Sequence, residues 1–252
     1  MADTTPTTIT LHSAQARYYR YRTPYLPRLF SRLAQRLDLT AESTLLDLCC
    51  GSGEVATGCI RHCGHIYAVD GSAEMLAQAP RAERIDYIQA DVNDEAYKAP
   101  ELVDHIIIGR AIHWVEADSL ARLARANLKE DGRIIICSTC WGTEAAWFAD
   151  YQRLTTPYKG GLGQRQIDTT GAGTLASIGF SAEDQLRVGR RLLVDIDYLI
   201  GHAMATTYGD RQIALANDFD NFSQRMRTTL SPHLVDGRLA MDVTSWAIVY
   251  YR

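Results

Sequence analysis

No part of this 252-residue chain holds an apolar run near the roughly 18 residues that a membrane-spanning helix requires. Residues 1–10 are polar and threonine-rich and lack a hydrophobic signal core, so a frayed start in a cytoplasmic protein is expected. An excess of positive charge is also missing. The 26 Lys and Arg residues against 30 Asp and Glu give a net charge of −4, which argues against nucleic acid as a partner. The six cysteines (Cys49, Cys50, Cys59, Cys63, Cys137, Cys140) do not read as a disulfide framework in a chain of this size without a leader. Cys59-x-x-x-Cys63 and Cys137-x-x-Cys140 lack zinc-ribbon spacing, so small buried apolar residues are expected there and no metal. Internal repeats and low-complexity linkers are absent too, and 46% apolar residues suffice for a core.

What is present centres on Leu45-Leu46-Asp47-Leu48-Cys49-Cys50-Gly51-Ser52-Gly53. This reads as a short apolar strand that ends in an acid and a tight glycine turn, followed by a helix. Backbone N–H groups and a carboxylate then converge where a nucleotide-like cofactor can dock. Asp70 follows a second apolar strand, Ile66-Tyr67-Ala68-Val69, where a carboxylate can accept hydrogen bonds from both hydroxyls of a ribose. Two acids at adjacent strand tips, with a glycine turn between them, define a pocket for an adenosine-containing ligand. Gly51-x-Gly53-x-x-Ala56 also satisfies a loose dinucleotide fingerprint, which leaves a nicotinamide-dependent oxidoreductase as an alternative. Against it stand Asp47, which would repel a pyrophosphate, and a third acid, Asp91, after the strand-like Tyr87-Ile88-Gln89.

At these residues the chain resembles class I S-adenosylmethionine-dependent methyltransferases. Their first motif is similar to Leu46–Gly53, their second to Ala68-Val69-Asp70-Gly71-Ser72-Ala73-Glu74-Met75-Leu76, and their third to Ala90-Asp91-Val92. The resemblance continues through Asp104-His105-Ile106-Ile107-Ile108 and an Asp131-Gly132-Arg133 turn, covering about residues 15–140. Cys49 departs from the pattern, since the family has glycine there; it is tolerable if this position keeps an allowed backbone conformation. Tyr18-Tyr19-Arg20-Tyr21-Arg22-Thr23-Pro24-Tyr25 and Ala111-Ile112-His113-Trp114 resemble the trans-aconitate methyltransferase-like subgroup, many of whose members act on small molecules.

The resemblance implies an α/β, Rossmann-like class I methyltransferase fold: a mostly parallel seven-stranded sheet with an antiparallel C-terminal strand and a partial helical cap. One domain over 1–252 is expected, with a helical arm or lid at 1–40, the cofactor-binding core at 41–140, and substrate-side insertions with closing strands at 141–252. It implies S-adenosylmethionine as cofactor, S-adenosylhomocysteine as product and a small-molecule acceptor for the methyl group. A protein of this fold with a non-methylating role is the alternative. No membrane partner is expected, and the protein would be a monomer or homodimer.

Strands are expected at 44–48, 65–69, 86–89, 103–109 and 133–138, with helices at 53–62, 72–78 and 117–127; strand alternating with helix implies parallel pairing. Residues 11–37 read as helix broken near Thr23 by Pro24 and Pro27. The six arginines from Arg17 to Arg36 make either a solvated face or a basic lid. An aromatic helix is expected from Trp141, a lid or hinge at Lys159–Gly163, a short helix at Thr170–Ser177, a helix through Ala205, another over 211–230, and a final strand at Leu239–Tyr251.

By resemblance, cofactor contacts fall on Tyr18, Arg22, Asp47, Cys49, Gly51, Gly53, Asp70, Gly71, Met75, Ala90, Asp91, Val92, Gly109, Arg110 and Ala111. His113, whose ordinary pKa lies near neutrality, is the candidate general base and a substrate contact. Tyr21, Trp114, Trp141, Trp147 and Tyr158 are candidates for lining the acceptor pocket, as is Tyr151, with core packing as the alternative for each.

Overall fold

The computed structural model of the chain describes residues 16–158, 168–207 and 209–252. The expected lid or hinge at Lys159–Gly163 lies outside the described residues. Seven strands form one sheet: β1 (Thr44–Leu48), β2 (His65–Asp70), β3 (Ile85–Gln89), β4 (Val103–Gly109), β5 (Leu128–Trp141), β6 (Ser181–Val194) and β7 (Leu239–Tyr251). Their order is β3-β2-β1-β4-β5-β7-β6, mostly parallel with antiparallel C-terminal strands. The helices are α1 (Pro27–Arg36), α2 (Glu54–Cys59), α3 (Ala73–Leu76), α4 (Ala117–Asn127), α5 (Phe148–Thr155), α6 (Ala172–Ser177), α7 (Ile196–Ala205), α8 (Asp210–Asn217) and α9 (Phe219–Leu230).

The described residues group into two compact units, one of 25–139, 168–188 and 245–252, the other of 16–24, 140–158 and 189–244. The first unit holds the core. Ile106, Ile107 and Ile108 of β4 and Ile134, Ile135 and Ile136 of β5 are all buried, as the unbroken apolar runs demand of strands covered on both faces. From α4, Leu120, Leu123 and Ala124 recur at helical spacing and join the cluster around Leu46, Leu48, Val69 and Ile248. Each fully buried leucine contributes about 2 kcal/mol by removal of apolar surface from water.

Several local expectations needed correction. Pro27 does not break a helix; it opens α1 at the first helical position, where a missing N–H costs nothing. Trp141 ends β5 instead of starting a helix, and α5 begins only at Phe148. The helix expected over 211–230 is two, α8 and α9, meeting at Asp218. The turn expected at Asp131–Arg133 lies within the span of β5. Val103 pairs with Leu128 and His105 with Arg133, so residues 129–132 bulge out of the ladder.

In the second unit, α7 is buried along most of its length, and Asp195 caps its start by accepting from the Tyr198 backbone N–H at 2.7 Å. Helix α9 packs against α5 and α7.

Candidate cofactor site

Strand order reverses between the neighbours β1 and β4, which continue to β2 on one side and β5 on the other. Ligands of open α/β sheets bind outside the strand carboxyl ends at such a point. Both strands end there in a left-handed residue, Cys49 (φ 55°) after β1 and Arg110 (φ 58°) after β4. Non-glycine residues rarely adopt this region, and such strain gathers at functional sites. Cys49 thus keeps a conformation that glycine adopts freely, and cysteine bears it at a cost of about 1–2 kcal/mol. The glycine turn continues through Gly51 (φ 57°) and Gly53 (φ 73°).

Asp70, at the tip of β2, binds this turn. Its Oδ2 accepts from the Gly51 N–H at 2.8 Å and its Oδ1 from the Ser72 N–H at 2.9 Å. Helix α3 is capped by Ser72, whose Oγ accepts from the Met75 N–H at 3.2 Å, so Asp70 is not a helix cap. Each carboxylate oxygen has a second lone pair, and the pair can still accept from two vicinal hydroxyls. The Ala90 N–H donates to the Asp70 carbonyl at 3.1 Å, which places the tips of β2 and β3 side by side. Beyond them Asp91 is exposed and Val92 is buried, and Met75 is the buried residue of α3.

Asp47 lies fully buried in β1. Its Oδ2 accepts from the Ala56 N–H at 3.1 Å, and its Oδ1 has no hydrogen-bond partner among the described residues. Burial pushes its carboxyl well above the usual range; the Ala56 N–H opposes the shift and the Asp70 charge adds to it. Burial, and then the neighbouring carboxylates, also push the Cys49 and Cys50 thiols up, so neither is a nucleophile near neutral pH.

At the tip of β4, Arg110 makes an ion pair with Glu54 of α2, and its guanidinium stands 4.7 Å from the centre of the Tyr25 ring. Tyr25 donates its backbone N–H to Glu54 at 2.8 Å and its hydroxyl to the Cys137 carbonyl at 3.1 Å. Gly109 is hemmed in by Val55 and Tyr25, which leaves no room for a side chain there. The sequence pointed to Gly109 and Arg110 but not to Glu54 or Tyr25, which only the fold brings beside them. Ala111 is buried, and Trp114 packs against the core. His113 is exposed, its ring 4.8 Å from that of Trp114. Asn93, also unforeseen, ties the loops after β3 and β4 together: its amide donates to the Trp114 carbonyl at 2.9 Å and accepts from the Glu116 N–H at 3.0 Å. An Asn one residue past the third motif was the signal available for it.

The remaining candidates belong to the second unit. The Arg17 guanidinium covers Tyr18 at 4.8 Å, and Arg22 donates to the Ala205 carbonyl at 3.5 Å. Tyr21 lies against Gly201 and edge-on to Tyr198. Trp141 stands 4.3 Å from the ring of His202 and packs with Trp147 and Tyr151. Trp147 is buried and donates its indole N–H to the Ala240 carbonyl at 2.8 Å, while Tyr158 donates to Asp218 at 2.5 Å. His202 went unnoticed in the sequence. It is buried, with Tyr151 Oη 2.9 Å from Nδ1 and Thr23 Oγ1 3.4 Å from Nε2. A lone histidine in an apolar helical stretch was its only signal.

Among the described residues no group of three or more His, Cys, Asp or Glu side chains could hold a metal ion, and no helix is long and apolar enough to cross a membrane.

Comparison with known proteins agrees with this geometry. Residues 45–132 match the family described as "Methyltransferase domain". An uncharacterized methyltransferase of Schizosaccharomyces pombe is 26% identical over 102 residues, 40% of this chain and 39% of the relative. A probable S-adenosylmethionine-dependent methyltransferase of Saccharomyces cerevisiae, CRG1, is 24% identical over 125 residues, 47% of this chain and 43% of the relative. The chain thus matches about two fifths of the length of these curated relatives. Among solved structures, a protein provisionally assigned as a type II methyltransferase from Anaeromyxobacter dehalogenans superposes with a TM-score of 0.63 at 19% identity, over 91% of this chain and 96% of its own. A SAM-dependent methyltransferase from Thiobacillus denitrificans in complex with S-adenosyl-L-homocysteine gives 0.50 at 20% identity, over 93% and 96%. At these identities the structures speak for the fold.

An acid at the tip of β2 that secures a glycine turn at the switch point, within a matched methyltransferase domain, defines the class. Residues 45–132 thus carry a methyltransferase domain, and the chain has the fold of the class I S-adenosylmethionine-dependent methyltransferases, whose cofactor is S-adenosylmethionine. The residues present suit that cofactor: Asp70 keeps lone pairs for a ribose, and Asp47 keeps a buried acceptor that the described protein leaves unmatched.

Proposed function

We propose that this protein transfers a methyl group from S-adenosylmethionine to a small-molecule acceptor. The observation that carries the reading is Asp70, whose carboxylate holds the glycine turn by the Gly51 N–H and still offers acceptors to a ribose. Asp91 is assigned to the adenine amine, with Ala90 and Val92 flanking the ring and Met75 beneath it. Gly109, Arg110 and Ala111 border the reacting end. Bound S-adenosylmethionine supplies a methyl group on a good leaving group, so the protein's task is in-line approach and exclusion of water. Tyr18 and Arg22 are assigned to the cofactor from the arm, and Tyr21, Trp114, Trp141, Trp147 and Tyr158 to the acceptor side.

A carboxylate acceptor, as in the trans-aconitate-like subgroup, would need no general base and would draw on the arginines of the arm. For a hydroxyl or amine acceptor His113 is the base, and its exposure leaves it open to solvent protons. The one-domain organisation, with an arm at 1–40 and substrate-side insertions at 141–252, remains part of this proposal. So do the cytoplasmic setting and a monomeric or homodimeric state.

The test is calorimetric titration with S-adenosylhomocysteine. Asp70→Ala should bind at least tenfold more weakly while melting cooperatively. A folded variant that binds as tightly as the parent protein would refute the assignment.

A further inference from the structure

Between β3 and β4 the chain runs through residues 90–102 without helix or strand, and Asp91 stands exposed near the start of this loop. An exposed carboxylate on a free loop would sample many directions. Here Asp91 Oδ1 accepts from the Asn93 backbone N–H at 2.9 Å, an Asx turn that aims the carboxylate from wherever Asn93 sits. Asn93 is in turn held from the β4 side. Its amide donates to the Trp114 carbonyl and accepts from the Glu116 N–H, and its own carbonyl accepts from the Ser119 hydroxyl at 3.4 Å. Three residues further along α4, on the face that carries Ser119, stands Arg122. Its guanidinium donates to the carbonyls of Val92 at 3.1 Å, Asp94 at 2.8 Å and Tyr97 at 2.6 Å. These are charge-assisted bonds from a rigid, permanently charged fork. Water would satisfy the same carbonyls on a surface loop, so what the clamp adds is a fixed position.

Position matters because of what a carboxylate can read. It only accepts. Adenine offers it a donor in the exocyclic amine. Hypoxanthine has an acceptor oxygen at that place and a donor on the adjacent ring nitrogen. A carboxylate free to shift by one atom finds a donor on either base; one held in place finds it only on adenine.

We propose that Arg122 and Asn93 are positioning residues that make the site selective for adenine, by fixing the Asp91 carboxylate opposite the exocyclic amine. Both act through Asp91. This rests on the assignment of Asp91 to the adenine amine.

The probes are S-adenosylhomocysteine and S-inosylhomocysteine, which differ only in the base. By calorimetry the parent protein should prefer the first by at least about tenfold, since a site built around a donor rejects a ligand that lacks it. Arg122→Met and Asn93→Ala should each melt cooperatively and cut that preference by at least about fivefold, because selectivity depends on the supporting contacts. Arg122→Lys, which keeps the charge but not the fork, should recover part of it. A preference that stays at the parent value in the folded variants would overturn the proposal, whether both probes bind as before or weaken alike. If Arg122→Met does not fold, the ratio in Asn93→Ala decides. A parent protein that binds both probes equally would sink the assignment of Asp91, and one that binds neither would sink the cofactor reading; each result is distinct from a preference that survives the variants.

Discussion

Cys49 occupies a left-handed position, and among the described residues its side chain gains no hydrogen bond that would offset the strain. Glycine at this position would relieve about 1–2 kcal/mol of strain and lose part of that through the greater freedom of the unfolded chain. Cys49→Gly should therefore stabilise the protein by about 0.5–1 kcal/mol in urea unfolding; a lower midpoint would show that the thiol packs better than the backbone suffers. Gly53 is the opposite case. Its φ of 73° and the Tyr87 ring against it both exclude a side chain, so Gly53→Ala should cost at least about 2 kcal/mol in the same measurement. Residue types at the strand tips were legible in the sequence because glycine, aspartate and apolar runs have fixed local uses. Glu54, Tyr25 and Asn93 were not legible, because each acquires its role from a neighbour 21 or more residues away, as Tyr25 does from Glu54 and Cys137.

Helix boundaries followed local chemistry where caps and periodicity agreed. Helix α4 spans Ala117–Asn127 as read, because Leu120, Leu123 and Ala124 recur on one face. The stretch over 211–230 misled because its apolar spacing runs on past Asp218, where the backbone leaves helical geometry between α8 and α9. Helix α7 depends on a named cap. Asp195→Ala removes the acceptor for the Tyr198 N–H and should cost about 1 kcal/mol in thermal or urea unfolding. Asp195→Asn, which keeps an acceptor, should recover most of that loss; no difference between the two would mean that the Asp195–Arg238 pair matters more than the cap.

The stability of the whole molecule should depend on pH through His105, which is buried in β4. Burial lowers its pKa to about 4, with the nearby Asp104 charge opposing the shift, and its Nδ1 accepts from the Arg133 N–H at 3.1 Å. Unfolded histidine titrates near 6.5, so the unfolded chain binds the proton first on acidification. The contribution is complete above pH 6.5 and is lost as the pH falls towards 4, by roughly 3 kcal/mol in all. Asp47, whose carboxyl burial pushes up, has the opposite slope, so the His105 share is read as a difference: urea unfolding at pH 7 and pH 5 should show a steeper loss for the parent protein than for His105→Asn. Equal losses would assign the acid sensitivity elsewhere. The sequence by itself determined the alternation of strands and helices, the glycine turn and the acids at the tips of β1 and β2, because apolar periodicity and turn chemistry act within a few residues. Only the tertiary structure decided that β7 enters the sheet between β5 and β6, and that Cys49 and Arg110 end adjacent strands in left-handed turns. Those facts depend on which strands become neighbours and in what register, and pairing across a sheet is settled by the packing of the whole core.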